Sequence, residues 1–219
     1  METARYERKF WLSGHTVSQA AVLVRSLPGG FHEAYPPRRV NNVYWDTPGL
    51  TAYDEHVQGV ANRCKVRVRW YGETDIPTQK TVVEWKLRHG TTGSKRAFPF
   101  PQSGAGTDRE TPHPPSPSNL GDLQPVLYNR YWRQYFCSIG ERLRITLDVR
   151  IEFMAAGNLG FESTHWMPLP DSLCGVLLEL KYAPEDAVAA ARVAQRLPTR
   201  LTRFSKYIRG VQVLGLDGA

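Results

Sequence analysis

Along much of this chain apolar and polar side chains alternate one by one, the period of a β-strand whose successive residues point to opposite sides. Tyr6 to Leu12 sets Glu7 and Lys9 against Arg8, Phe10 and Leu12. Arg38 to Trp45 reads as a second strand, stopped by the turn residues Asp46, Thr47, Pro48 and Gly49. From Arg63 to Tyr71 the alternation puts Arg63, Lys65, Arg67 and Arg69 on one side and Cys64, Val66, Val68 and Trp70 on the other. Thr81 to Arg88 repeats the design, with Glu84, Lys86 and Arg88 opposing Val83, Trp85 and Leu87. In Pro125 to Phe136, Tyr131, Arg133 and Tyr135 share a face. Arg142 to Glu152 sets Arg142, Arg144, Thr146, Asp148 and Arg150 against Leu143, Ile145, Leu147, Val149 and Ile151. Leu177 to Tyr182 places Glu179 and Lys181 opposite Leu178 and Leu180.

Two stretches change period. From Thr16 to Leu27, Val17, Ala20, Ala21, Val24 and Leu27 fall at helical spacing, with Thr16 as N-cap and Pro28, Gly29 and Gly30 as the stop. From Pro184 to Leu197 the chain is Ala-rich, opens on a proline suited to the first helical position and ends at Pro198. A basic segment, Arg200 to Gly210, leads into a short final helix. Residues 101–119 are rich in Pro, Ser and Gly without apolar period, and read as a flexible surface insertion in which His113 is solvated.

The predicted strands carry an unusual amount of charge. Cations two residues apart on one strand face are about 7 Å apart, which costs roughly 0.6 kcal/mol per pair in water and about 2.4 kcal/mol at an effective dielectric near 20. A solvated sheet face tolerates this, whereas an enclosed one needs carboxylates or a bound polyanion. Formal net charge is +7 over 219 residues, and the sequence pI is about 9.4, which favours an anionic partner. The three cysteines, Cys64, Cys137 and Cys174, have no paired spacing, so a disulfide framework or zinc site is not expected. Neither a signal-peptide core at the N-terminus nor a membrane-spanning apolar run is present, which predicts a cytoplasmic protein attached to membranes only through a partner.

Charged faces that recur along the chain, with carboxylates at Glu7, Glu84, Asp148 and Glu179 among the cations, predict a sheet closed around a polar lumen. Guanidinium and ammonium groups suit a row of phosphates. The carboxylates would hold a hard divalent cation, Mg²⁺ or Mn²⁺, bridging to phosphate oxygens. Gly90, Gly93, Ser94 and Lys95 lack Walker spacing, and no Ser-His-Asp or Cys-His pattern is visible. The pI also suggests nucleic acid, but the Arg67 face is not interleaved with aromatics, so no nucleic-acid partner is expected.

The ordered motifs Lys9-Phe-Trp, Val43-Tyr-Trp-Asp46-Thr, Arg67-Val-Arg69-Trp-Tyr-Gly72, Glu84-Trp-Lys86, Ser94-Lys95, Tyr131-Trp-Arg133, Arg144-Ile-Thr-Leu-Asp148, Leu178-Glu179-Leu-Lys181 and Phe204-Ser205-Lys206-Tyr-Ile-Arg-Gly210 resemble the VTC-type polyphosphate polymerase domain of the triphosphate tunnel metalloenzyme (CYTH-like) superfamily. The resemblance covers nearly the whole chain apart from the insertion. It implies an α+β fold, a closed antiparallel β-barrel or tunnel with flanking helices, in a single domain over residues 1–219. It also implies that Lys9, Arg67, Arg69, Lys86, Lys95, Arg133, Arg144, Arg203 and Lys206 bind phosphate, and that Glu179 holds Mn²⁺ or Mg²⁺. Of these, Lys9, Arg67, Arg69, Lys86, Arg133 and Lys206 are the expected catalytic set.

The implied activity is transfer of the γ-phosphate of ATP to inorganic polyphosphate, with ATP, triphosphate and polyphosphate as ligands. Hydrolysis of tripolyphosphate or nucleoside triphosphate, and binding of polyphosphate without turnover, are the alternatives. His56 stands where eukaryotic members have a basic residue, and Arg203 where a lysine is expected.

Overall fold

The computed structural model describes residues 5–74, 80–90, 92–100, 122–158, 165–170 and 174–218. The Pro-rich insertion at 101–119 lies outside the described residues. The chain divides into two compact units, one made of Met1–Arg39, Tyr131–Ile151 and Pro168–Ser205, the other of Val40–Arg130, Glu152–Met167 and Lys206–Ala219.

The first unit contains β1 (Tyr6–Ser13), α1 (Val17–Ser26) and the start of β2 (His32–Asp46). Thr16 caps α1 in a reciprocal box, its hydroxyl accepting from Gln19 N while Gln19 Oε1 accepts from Thr16 N. The second unit contains α2 (Thr51–Gln58), β3 (Asn62–Tyr71), β4 (Val82–His89) and β5 (Thr92–Pro99). Two long strands then pass through both units, β6 (Gln124–Cys137) and β7 (Leu143–Ala155). The short β8 (Met167–Pro168) is followed in the first unit by β9 (Gly175–Tyr182), a 3-10 turn over Pro184–Asp186 and α3 (Ala187–Gln195). Last comes α4 (Lys206–Leu214), in the second unit.

Each unit has its own apolar core. In the first, Phe10, Leu12, Ile145, Leu147, Val176, Leu178 and Leu180 from the strands meet Ala20 and Val24 of α1 and Ala190 and Val193 of α3. The apolar sides of three strands thus become one buried layer with α1 and α3, at about 25 cal/mol for each Å² of apolar surface removed from water. Gly175, opposite Ser13 in the β1–β9 ladder, is required there, because a Cβ would lie 2.5 Å from the Leu12 carbonyl oxygen. In the second unit Val43 and Trp45 pack with Cys64, Val66, Val68, Trp70 and Val83. Burial pushes the Cys64 thiol up to about 11, with Glu55 adding to the shift, so this cysteine packs as an apolar residue.

The hydrogen-bonded strand order is β1-β9-β7-β6-β2-β3-β4-β5, with β8 beside β7. This corrects the expected closed barrel: the sheet is antiparallel-rich and flanked by helices, but its order is open. One edge of β1 pairs with β9, and its other edge is taken by the chain at 201–202, through a bridge from Phe10 to Leu201 and the Thr202 N–H donating to the Lys9 carbonyl. Alternation cannot reveal that an irregular segment will occupy a strand edge. No helix among the described residues is long and apolar enough to cross a membrane.

Candidate functional site

The charged strand faces gather into two clusters, one in each unit. In the second unit, β3 and β4 pair with Arg67 opposite Glu84, Lys65 opposite Lys86 and Arg63 opposite Arg88. Lys86 is in turn opposite Lys95 of β5, so Lys65, Lys86 and Lys95 stand abreast on three strands. Neighbouring strands are about 4.8 Å apart, and like charges directly opposite are destabilising.

Glu84 is the carboxylate that answers this charge. Arg67 Nε donates to its Oε2 at 2.7 Å, Lys95 Nζ donates to its Oε1 at 3.0 Å, and an Arg69 guanidinium nitrogen stands 3.8 Å from Oε2. Burial alone would raise the Glu84 pKa, but Arg67, Arg69 and Lys95 together hold it well below the usual carboxylate range. Arg67 and Arg69 are themselves buried, whereas the Lys95 side chain is 46% exposed.

Arg69 is oriented by a polar chain: its Nε donates to Asn42 Oδ1 at 2.8 Å, Asn42 Nδ2 donates to Asn129 Oδ1 at 3.2 Å, and Asn129 Nδ2 donates to the Glu152 carbonyl. Asn41 and Asn42, set between Val40 and Val43 in the apolar part of β2, were the available signal for this support. Lys65 Nζ lies 3.1 Å from His56 Nδ1 on α2, so the histidine at the expected basic position meets a lysine.

Lys206 opens α4 and is buried. Its neighbour Tyr207 stacks on Tyr44, which is the cross-strand partner of Arg67, so α4 covers the face that carries Arg67. Tyr207 also donates its hydroxyl to Asp46 at 2.5 Å. Asp46 accepts in addition from the backbone N–H groups of Thr47, Ala52 and Tyr53, and so ties the end of β2 to α2 and α4.

In the first unit the cluster forms around Glu179. Lys9 is opposite Glu179 in the β1–β9 ladder, and Thr146 of β7 is opposite it on the other side. Three cations reach this carboxylate: Arg133 at 3.0 Å, Lys181 at 3.2 Å and Lys9 at 3.5 Å. Arg133 also forms a two-point pair with the fully buried Asp148 and lies over the Tyr131 ring. Burial would lower the Arg133 pKa, but Asp148, Tyr131 and Glu179 raise it further, so the guanidinium stays charged.

Glu7 shares both lysines with Glu179, standing 3.1 Å from Lys9 and 4.0 Å from Lys181. Lys9 Nζ further donates to the Phe204 carbonyl at 3.0 Å, and Trp11 stacks on the Phe204 ring at 5.1 Å. Lys181, which carried no assignment in the sequence, is thus part of this cluster.

The structure separates the predicted cations. Arg67, Arg69 and Lys95 meet Glu84, Lys86 stands between two lysines, and Lys9 and Arg133 meet Glu179. Arg144 is 49% exposed and faces Glu141 at 3.8 Å, outside the Glu179 cluster. Arg203 is exposed in the connection before α4. Of the four carboxylates expected to hold a cation, Glu84, Asp148 and Glu179 are each paired with an arginine, and Glu7 and Glu179 share two lysines. Cys137 and His32 come within 3.3 Å, a thiol–imidazole pairing hidden by 105 residues of separation.

No group of three His, Cys, Asp or Glu side chains that could hold a metal comes together among the described residues. Glu7 and Glu179, linked through Lys9 and Lys181, offer hard oxygen donors from two residues. That donor set fits Mg²⁺ or Mn²⁺, which keeps several waters and takes further oxygens from phosphate.

The fold matches that of a candidate adenylate cyclase from Vibrio parahaemolyticus at 13% identity and a TM-score of 0.51, covering 98% of this chain and 99% of that one. A candidate adenylyl cyclase from Hippeastrum, HpAC1, described with a dominant triphosphatase activity, is 16% identical with a TM-score of 0.47 and coverage of 97% and 96%. The PH1819 protein from Pyrococcus horikoshii OT3 is 12% identical with a TM-score of 0.47 and coverage of 96% of each chain. Curated proteins give no match to the sequence.

The antiparallel-rich sheet with flanking helices is thus a fold shared with the Vibrio parahaemolyticus protein. A VTC domain model matches residues 4–106 and 118–215, leaving out most of the Pro-rich insertion. The chain belongs to the VTC domain family.

Proposed function

We propose that this protein transfers the γ-phosphoryl group of ATP to the end of an inorganic polyphosphate chain, releasing ADP, with Mn²⁺ or Mg²⁺ as cofactor. The carrying observation is the convergence of Arg67, Arg69 and Lys95 on the single carboxylate of Glu84, beside the abreast lysines Lys65, Lys86 and Lys95. Such crowding is unfavourable in a resting protein, and a row of phosphates would relieve it. Family membership supports the same ligand class.

In this reading Arg67 and Arg69 give phosphate oxygens two-point contacts, and Lys86, Lys95 and Lys206 add compact charges. Lys9 and Arg133 bind phosphate in the first unit, and the more exposed Arg144 and Arg203 contact the outer part of the polyanion. Glu179, with Glu7, holds the divalent ion. When bound, that ion neutralises charge on phosphate oxygens. Phosphoryl transfer demands little covalent chemistry from a protein, so positioning and neutralisation are what these side chains contribute. Asp148 keeps Arg133 in place, and Asn42 does the same for Arg69.

Incubation of the purified protein with ATP and Mn²⁺ tests the reading by product analysis. ADP together with an acid-labile polymer is expected. Orthophosphate as the main product would make the protein a triphosphatase, and salt-sensitive polyphosphate binding with no product would make it a binding module.

A further inference from the structure

Two residues along β6 from Arg133, on the same strand face, lies Tyr135. Its ring meets Tyr35 edge-on, with centroids 5.9 Å apart, and the Arg38 guanidinium sits 4.9 Å over it. Arg38 Nε also donates to the Tyr135 hydroxyl at 3.1 Å. Whereas Arg133 is buried, Tyr35 is 58% exposed and Arg38 is also exposed. Pro36 and Pro37, between Tyr35 and Arg38 in β2, fix the local backbone and carry no N–H donor. An exposed ring and guanidinium, Tyr35 and Arg38, are therefore held against the half-buried Tyr135, two residues along the strand from a cation of the Glu179 cluster.

Nothing in phosphate binding calls for aromatic rings here, since in the proposed reading the phosphate contacts of this cluster come from Arg133 and Lys9. Rings and guanidinium planes are the side chains on which a nucleobase stacks, without regard to its sequence-reading edge. We propose that Tyr35, Tyr135 and Arg38 form a platform for the base of the nucleoside triphosphate, whose phosphates run toward Arg133. This rests on the reading of the protein as one that uses ATP, and assigns the residues that separate a nucleotide from an inorganic polyphosphate. Stacking alone predicts weak discrimination between adenine and guanine, so GTP binds this platform comparably to ATP.

Calorimetric titration of the full chain with ATP and with inorganic tripolyphosphate tests the platform, in wild type, Tyr35→Ala and Tyr35→Phe. Tyr35→Ala weakens ATP binding about fivefold or more, the loss expected for one stacked base. It leaves tripolyphosphate within twofold, and Tyr35→Phe restores ATP binding because the ring remains. Equal loss for both ligands, or no loss for either, overturns the platform. Wild-type protein that binds neither ligand overturns the proposed function along with it. Wild type that binds both but forms no ADP overturns the function alone, and the ratio of the two affinities still decides the platform.

Discussion

Arg133 meets Asp148 through two hydrogen bonds, Nε to Oδ1 at 2.5 Å and a terminal guanidinium nitrogen to Oδ2 at 2.6 Å, and reaches Glu179 with a third at 3.0 Å. Both partners of the two-point pair are buried, and the charges lie 15 residues apart on the neighbouring strands β6 and β7. Removing one member of such a pair strands the other charge without water. Asp148→Asn should lower stability by about 3 kcal/mol, read as a shift of the urea midpoint. The loss should shrink when tripolyphosphate is present, because a bound anion also answers Arg133.

Glu84 gives the fold an acid limit. Its pKa in the folded chain lies below the ordinary value of about 4.3, so its contribution is complete above that value and is lost as pH falls through the lower, folded pKa. Urea midpoints measured from pH 7 down to pH 3 should therefore fall more steeply below about pH 4.3 in wild type than in Glu84→Gln. Parallel curves for the two proteins would remove Glu84 as the source.

Lys86 stands between two other lysines, Lys65 and Lys95. In Lys86→Ala one of these three cations is lost, and the effect is read by polyphosphate titration at two salt concentrations. Polyphosphate binding should weaken and become less dependent on salt.

Tyr207 and Asp46 join α4 to the end of β2 through a buried hydroxyl. Tyr207→Phe keeps the ring stacked on Tyr44 but leaves one buried carboxylate oxygen short of a donor. A loss of about 1 to 3 kcal/mol in thermal or urea unfolding is expected. If Lys206 binds phosphate, the same variant should raise the KM for ATP more than it lowers kcat, because α4 carries both residues.

Glu179→Gln separates the metal from the anion site. Tripolyphosphate binding measured without divalent ions should stay equal or tighten, since Lys9, Lys181 and Arg133 lose a competing charge. Binding of Mn²⁺ followed by paramagnetic resonance should weaken at least tenfold. Unchanged Mn²⁺ binding would sink Glu179 as a ligand.

Much of this arrangement could be read along the chain. The side on which Arg67, Arg69, Glu84 or Glu179 falls follows from a period of two and needs no partner strand. Helix α1 was equally legible, because Thr16 and Gln19 cap it with residues three apart. The strand β5 was not, since Thr92–Pro99 holds a glycine, a serine and two adjacent cations and shows little apolar alternation. Arg150, with φ of 51°, marks where β7 departs from regular extended backbone, and Ile151 beyond it does not join the core that holds Leu143, Ile145 and Leu147. Alternation put Ile151 on the same side as Leu143, Ile145 and Leu147 because it takes no account of local backbone breaks.

By itself, then, the sequence determined the two-sided character of the strands and the identity of the cations on their polar side, since both are local properties of backbone geometry. The tertiary structure alone decided which charges meet. Glu179 draws Lys9 from 170 residues earlier and Arg133 from 46, and Glu84 is shared by three cations of two other strands, because strand order and register set those distances. It also decided that the sheet order stays open, as the second edge of β1 is occupied by the chain at Leu201 and Thr202. Edge pairing is a competition between distant segments for the same N–H and C=O groups, and no periodicity within either segment records the outcome.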